Sequence, residues 1–212
     1  ARGCGFGVFA TAVENGGSVR LINAKGLAAT MSRKEIDKLT ETAKTYGAKG
    51  LAYLRLMEDS ETSSFEKFLS EQEKLAFRKA AGAEPGDVGL VGADRDPVVF
   101  SALGALRLEI AKKHGLVPEG EFKFLWVTDF PLFEKDEETG RFIAMHHPFT
   151  MPRDEDLDKI GSDPGACRAR AYDLVLNGSE LGRGSVRINY PALQARGFEA
   201  LGFTEARARA SV

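Results

Sequence analysis

Residues 171–189 read AYDLVLNGSELGRGSVRIN. Asn177-Gly178 lies between two alternating runs, and Asn-Gly is the strongest short-range signal for a two-residue hairpin. With these two as the loop, residues whose numbers sum to 355 lie opposite each other. Asp173 then faces Gly182, and Val175 faces Glu180. Side chains alternate along a strand, so Asp173, Val175, Glu180 and Gly182 share one face. Asp173 and Glu180 become diagonal neighbours, roughly 5–8 Å apart. Two carboxylates that close repel unless a cation joins them. The candidates are a divalent ion or an arginine: Arg168, Arg170 or Arg183. Oxygen ligands at this spacing suit Mg²⁺, which takes one or two protein carboxylates and completes its shell with water and phosphate oxygens.

Arg187 stands seven positions after Glu180, an odd step that sends it to the opposite face of a regular strand. Glycines flank Arg183 and tolerate the angles of a bulge. We therefore expect an irregularity between Gly182 and Ser185 that returns Arg187 to the carboxylate side. There its planar fork suits a carboxylate or a phosphate. The structural alternative is an ion pair with an Asp or Glu of the same sheet.

Two of the three histidines in the chain are adjacent, in FIAMHHPFT at residues 142–150. If FIAMHH is a strand, His146 and His147 point to opposite faces. One faces the working side of the sheet and the other braces the loop. No third nitrogen or sulfur ligand stands at zinc spacing. Upstream, FKFLWVTDFPLFE (122–134) is an apolar run broken by Asp129 and Pro131, and EKDEETGR (134–141) is a hairpin connection. The second half thus reads as an antiparallel sheet.

The first half alternates strands and helices. Residues 18–26 form a strand. A helix follows, with Ser32 and Glu35 as a capping box and Ile36, Leu39, Ala43 and Tyr46 on one face. Residues 51–57 form a strand, and the polar residues 58–64 a loose connection. A helix over 65–81 carries Phe65, Phe68, Leu69, Gln72, Leu75 and Ala76 on one stripe and stops at Gly82. Residues 88–93 form a short buried strand. Asp96 then caps a helix with Pro97 at its first position. Phe100, Leu103, Leu106 and Ile110 form its apolar face, Gly115 ends it, and His114 reads as a surface residue of its last turn. This half shows no phosphate loop, metal cluster or nucleophile constellation.

The 212 residues carry a net charge of −2, with 43% hydrophobic and 28% charged residues, ordinary for a globular protein. That balance gives no whole-chain electrostatic drive toward nucleic acid. Cys4 and Cys167 match no metal or redox spacing and fit a reducing cytoplasm. No apolar run reaches the roughly 18 residues of a membrane span. The first residues lack both an initial Met and the order of a signal peptide, so we expect an internal piece of a longer protein.

FLWVTDFPLFE, AMHHPFT and AYDLVLNGSELGRGSVRI together resemble the bacterial type of aspartyl-tRNA synthetase. TMSRKEIDKLTETAKTYGAKGLAYLRL and SALGALRLEIAKKHGL resemble its inserted GAD domain. The resemblance runs from about Phe6 to Phe203. It implies an α+β chain: a lead-in (1–8), an α/β GAD insertion module (9–117) and part of a class II synthetase antiparallel sheet (118–212). It implies a cytoplasmic, homodimeric ligase that activates L-aspartate with Mg-ATP to aspartyl-adenylate and transfers it to aspartate tRNA, with no membrane involvement. His146 would contact aspartate, with His147 in support. Arg187 would hold the substrate carboxylate, Glu180 would bind ATP through Mg²⁺, and Asp173 would share the metal. No residue is assigned a catalytic step of its own. Glycines 182 and 184 would let the chain pass close to substrate.

Three departures stand against the family pattern. Arg183 replaces the middle of three glycines, Asn189 stands where His is usual, and the tail TEARARASV diverges. The family's anticodon-binding barrel, dimer motif and ATP-binding arginine motifs would lie outside these residues, so we expect the chain alone to lack aminoacylation activity. Two other readings compete. One is a non-catalytic GAD-type module that binds tRNA or a partner. The other is a Mg²⁺-dependent hydrolase using Asp173, Glu180 and His146.

Overall fold

The computed structural model describes residues 3–136 and 138–203. It divides into two compact units, Ala1–Glu119 and Gly120–Val212. The first runs α1 (Gly7–Glu14), β1 (Ser18–Ala24), α2 (Arg33–Thr45), β2 (Ala52–Leu56), β3 (Glu61–Ser63), α3 (Glu71–Ala81), β4 (Val88–Asp94) and α4 (Asp96–Lys113). Its strands pair antiparallel in the order β1-β4-β2-β3. The alternation of β2 and β4 feeds two cores. Tyr53, Val88 and Leu90 pack with Ile36 and Leu39 of α2 and with Leu106 and Ile110 of α4. Leu54, Leu56 and Val91 pack with Phe9 of α1 and with Phe65. Both faces of the sheet are therefore covered, which is why β4 is buried from Val88 through Gly92.

Four local expectations change. The polar connection 58–64 contains β3, which pairs with β2 and closes the sheet edge. The helix over 65–81 is two pieces: a 3-10 turn (Glu66–Phe68), then α3. Leu69 between them is extended, because Ser70 caps α3 in a full capping box with Glu73. Restarting the helix there changes the phase of its apolar stripe. Leu75 is left 72% exposed and Phe68 also points outward, while Phe77 joins the core in their place. In α4 the cap is the extended Arg95, with Asp96 as the first helical residue; Val99 and Ala102 are buried, and Phe100 is exposed.

The fourth change concerns Glu35 and His114. Ser32 Oγ accepts from the Glu35 backbone N–H at 3.3 Å, but the Glu35 side chain does not return to complete the box. It reaches the end of α4 instead, 2.8 Å from His114 Nε2 and 2.9 Å from Lys113 Nζ. Burial alone would raise the Glu35 carboxyl, but hydrogen bonds from Lys113 and His114 outweigh it and hold it below its ordinary value. His114 is therefore a tie between α2 and α4 and not a free surface residue.

The second unit runs β5 (Phe124–Val127), β6 (Phe133–Lys135), β7 (Phe142–Ala144), α5 (Lys159–Ser162), β8 (Ala171–Leu176), β9 (Ser179–Ser185) and α6 (Pro191–Ala200). β5, β8 and β9 form an antiparallel sheet in that order, and β6 pairs with β7 as a hairpin. The apolar run 122–134 is split between them at Asp129, which adopts a left-handed φ of 61°. Leu132, Phe133, Ile160, Cys167, Ala169 and Ala171 make the core. Asp156, with no exposed surface, accepts from the Arg168 side chain at 2.7 Å, from its backbone N–H at 3.0 Å and from Lys159 at 2.6 Å. The divergent tail, residues 204–212, lies outside the described residues.

Candidate functional site

The hairpin forms as the Asn-Gly signal requires. Asn177 and Gly178 have φ of 49° and 85°, the positive values of the turn that matches strand twist. The Asn177 side chain also accepts from Lys123 N–H at 2.8 Å and donates to the Glu121 carbonyl at 2.7 Å, pinning the turn to the approach of β5. Leu176 pairs with Ser179 and Val175 with Glu180, in the expected register. The register then shifts by one: Leu174 pairs with Gly182, Asp173 with Arg183, Tyr172 with Gly184 and Ala171 with Ser185.

The extra residue is Leu181. The ladder from Gly182 to Ser185 is regular, so the irregularity expected there lies one step earlier. Two physical reasons favour that place. Leu181 is 55% exposed, so leaving it out of the ladder sacrifices little burial. Gly184 also gives the Tyr172 ring room, because a Cβ on it would meet that ring at 2.6 Å and push it aside. The close neighbour of Gly184 is thus an aromatic ring of this chain, whereas Gly182 has nothing within 4 Å of a Cβ.

The shift decides the electrostatics. Asp173 faces Arg183, and Glu180 lies on the same face opposite Val175. Arg183 grips Glu180 with both arms, Nε at 2.9 Å from Oε1 and Nη2 at 3.0 Å from Oε2. Glu180, and through space Asp173, reinforce its positive charge. Arg168 and Arg170 pair elsewhere, with Asp156 and Asp154. Asp173 Oδ1 is buried with no hydrogen-bond partner among the described residues. An orphaned carboxylate oxygen beside a second carboxylate that already attracts a cation fits a site for one Mg²⁺, with Asp173 and Glu180 as its protein ligands. Among the described residues no group of three or more His, Cys, Asp or Glu is arranged to hold a metal.

The histidines are not on a strand. β7 stops at Ala144, and His146 and His147 occupy the bend and loop beyond it. They still diverge. His146 meets the Phe130 ring edge-on at 4.5 Å, with its Nε2 buried and unpartnered among the described residues. His147 Nδ1 accepts from Phe149 N–H at 3.2 Å. The following loop wedges between the ends of β8 and β9. Met151 N–H donates to Val186 O, Arg170 N–H donates to Met151 O, and Thr150 bridges to Arg187. From the other side α6 holds it, Gln194 donating to Pro148 O at 3.0 Å and Phe198 meeting the Phe149 ring. This anchoring brings the Arg187 charge to His147. Burial, and after it Arg187, push the His147 imidazole below its ordinary value. Among the described residues Arg187 makes no ion pair with a carboxylate of its sheet.

The structure thus gathers the candidates into groups: Asp173 with Glu180 and Arg183, His147 with Arg187, and His146 with Phe130. No hydrogen bond or ring contact among the described residues joins these groups directly. A cavity of about 940 Å³ lies in the first unit, lined by α1 and the approaches to β2 and α4, and contains none of the candidates. Arg183 as the partner of Glu180 was one of three open options in the sequence. The bulge at Leu181 that selects it had no signal beyond the glycine-rich neighbourhood.

The fold is α+β, with antiparallel sheets in both units, consistent with a GAD-containing piece of a class II synthetase. Residues 9–103 match the GAD domain. Over 206 residues the chain is 58% identical to an aspartate–tRNA ligase of Agathobacter rectalis, covering 97% of this chain and 34% of that protein. It is 58% identical over 203 residues to the aspartate–tRNA ligase of Ruminiclostridium cellulolyticum, covering 95% and 34%. A protein of Lachnoclostridium phytofermentans named aspartate–tRNA(Asp/Asn) ligase is 57% identical over 206 residues, covering 97% and 34%. Over almost its whole length the chain is similar to bacterial aspartate–tRNA ligases, and it spans about a third of the length of these relatives.

Proposed function

We infer that this chain supplies the aspartate- and magnesium-binding part of a ligase that activates L-aspartate with ATP and passes it to tRNA. The observation that carries the reading is Arg187. Its guanidinium has no carboxylate partner among the described residues, and it stands near a histidine whose imidazole its charge helps keep neutral. An unpaired guanidinium is built to receive an anion in bidentate fashion, and the side-chain carboxylate of aspartate is that anion. Asparagine would leave the same cation unpaired, so the discrimination is strong. Mg²⁺ held by Asp173 and Glu180 would neutralise charge on the ATP phosphates. His146, with a buried free Nε2, offers a polar contact to the amino acid. The chain's own contribution is positioning: it fixes one carboxylate of the substrate so that the other meets the α-phosphate.

The proposed setting is a homodimeric enzyme of the cytoplasm with aspartate tRNA as its partner. A stretch a third of its relatives' length is not expected to complete aminoacylation by itself. Relatives are named for aspartate alone or for aspartate and asparagine tRNAs.

The test is aspartate-dependent ATP–pyrophosphate exchange by the full-length protein carrying Arg187→Ala. Loss of a charged hydrogen-bonding partner for the substrate predicts about a 10–10²-fold fall in kcat/KM for aspartate. Exchange within two-fold of the unsubstituted protein would remove Arg187 from the aspartate site.

A further inference from the structure

We propose that Arg183 is a built-in cation of the carboxylate face, one that a divalent metal must displace from Glu180 before it can bind there. The proposal rests on the reading of Asp173 and Glu180 as metal ligands and concerns what guards them.

Both oxygens of Glu180 are occupied by the guanidinium, at 2.9 and 3.0 Å. A metal needs at least one of them, and two cations cannot share so small a space without strong repulsion. Arg183 reaches this position only because Leu181 bulges out, which leaves residues 180 and 183 on one face and sets Arg183 directly across from Asp173. Yet Arg183 does not quench both carboxylates, since Asp173 Oδ1 remains unpartnered among the described residues. One ligand is left open and the other is capped. The cap is releasable: the Arg183 side chain is 64% exposed and has solvent to swing into. The guanidinium holds the Glu180 carboxylate on the face it shares with Asp173.

An exposed ion pair of this kind is weak, so its removal together with one positive charge should tighten metal binding by about five-fold. The experiment is a Mn²⁺ titration of the whole chain, followed by paramagnetic broadening of backbone amide signals on β8 and β9. The variants are Arg183→Gly, Arg183→Gln and Asp173→Asn. The side-chain Nε–H signal of Arg183 is followed in parallel with diamagnetic Mg²⁺. The proposal expects broadening centred on residues 173 and 180, abolished by Asp173→Asn. It also expects a midpoint about five-fold lower in Mn²⁺ for both Arg183 variants, and a shift of the Arg183 Nε–H signal as Mg²⁺ is added. Equal midpoints with an unmoved Nε–H signal would overturn the role of Arg183 while leaving the metal reading intact. Absence of broadening on these strands in every variant, or broadening indifferent to Asp173→Asn, would overturn both.

Discussion

His147 carries two perturbations of one sign. Its burial disfavours the imidazolium, and the neighbouring Arg187 charge adds to the effect. Removing the charge removes one of them. Arg187→Ala should therefore raise the His147 titration midpoint toward the ordinary histidine value, read from its ring proton shifts by NMR. A midpoint that stays put or falls would separate the two side chains. Asp156 is the opposite case. The Arg168 hydrogen bonds, then that of Lys159, hold its carboxyl far below the usual carboxylate range. A carboxylate whose folded value is depressed adds stability above its unfolded value of about 3.9, and that stability is lost as pH falls below it. Asp156→Asn should lower the stability of the second unit at neutral pH and flatten its loss on acidification below about pH 4. Parallel acid profiles for both proteins would contradict the assignment. At this scale the sequence was legible in part. It named Asp173, Glu180 and the arginines that could join them, but not which arginine, because that depends on one unpaired residue.

Turn chemistry and local caps decide the elements. Asn177-Gly178 announced its hairpin because only residues tolerant of positive φ fit that turn. Ser70 overrode the apolar stripe of residues 65–81, since a capping side chain starts a helix wherever the backbone lets it. Strand β3 was hidden in a polar stretch, because an edge strand with exposed side chains has no hydrophobic alternation to betray it. The histidine pair lies beyond the strand because pairing ends at Ala144 and Pro148 follows directly, whereas the apolar run FIAM alone suggests that the strand continues. Gly184 gives an element-scale prediction. A methyl group there meets the Tyr172 ring at 2.6 Å, across the β8–β9 pair. Gly184→Ala forces the half-exposed Tyr172 ring to shift and should cost up to about 1 kcal/mol, the low end of overpacking. Most of that cost should vanish in a Tyr172→Ala background, a coupling that a double-mutant cycle by chemical denaturation measures. Additive losses would mean that the ring does not set the requirement for glycine.

The whole molecule is two compact units whose sheets are covered to different extents. In the first, helices cover both faces of the sheet, and the alternation of β2 and β4 supplies a core to each. In the second, Phe124, Trp126 and Tyr172 sit 61%, 61% and 42% exposed on the β5-β8-β9 sheet, with Trp126 and Tyr172 packed edge-on. The α+β class and the succession of elements were legible because periodicity and turn residues are local. The pairing order β1-β4-β2-β3 was not, since nothing local in a strand names its neighbour. The resemblance supplied the functional reading, and the structure then grouped the residues on which that reading can be tested. The most direct test is an NMR titration of the chain with aspartate, asparagine and glutamate, each with and without Mg-ATP. The account predicts shifts at Arg187 and His146 for aspartate and not for the other two, with Asp173 and Glu180 responding when Mg-ATP is added. A folded spectrum in which aspartate moves these signals no more than asparagine does would contradict it.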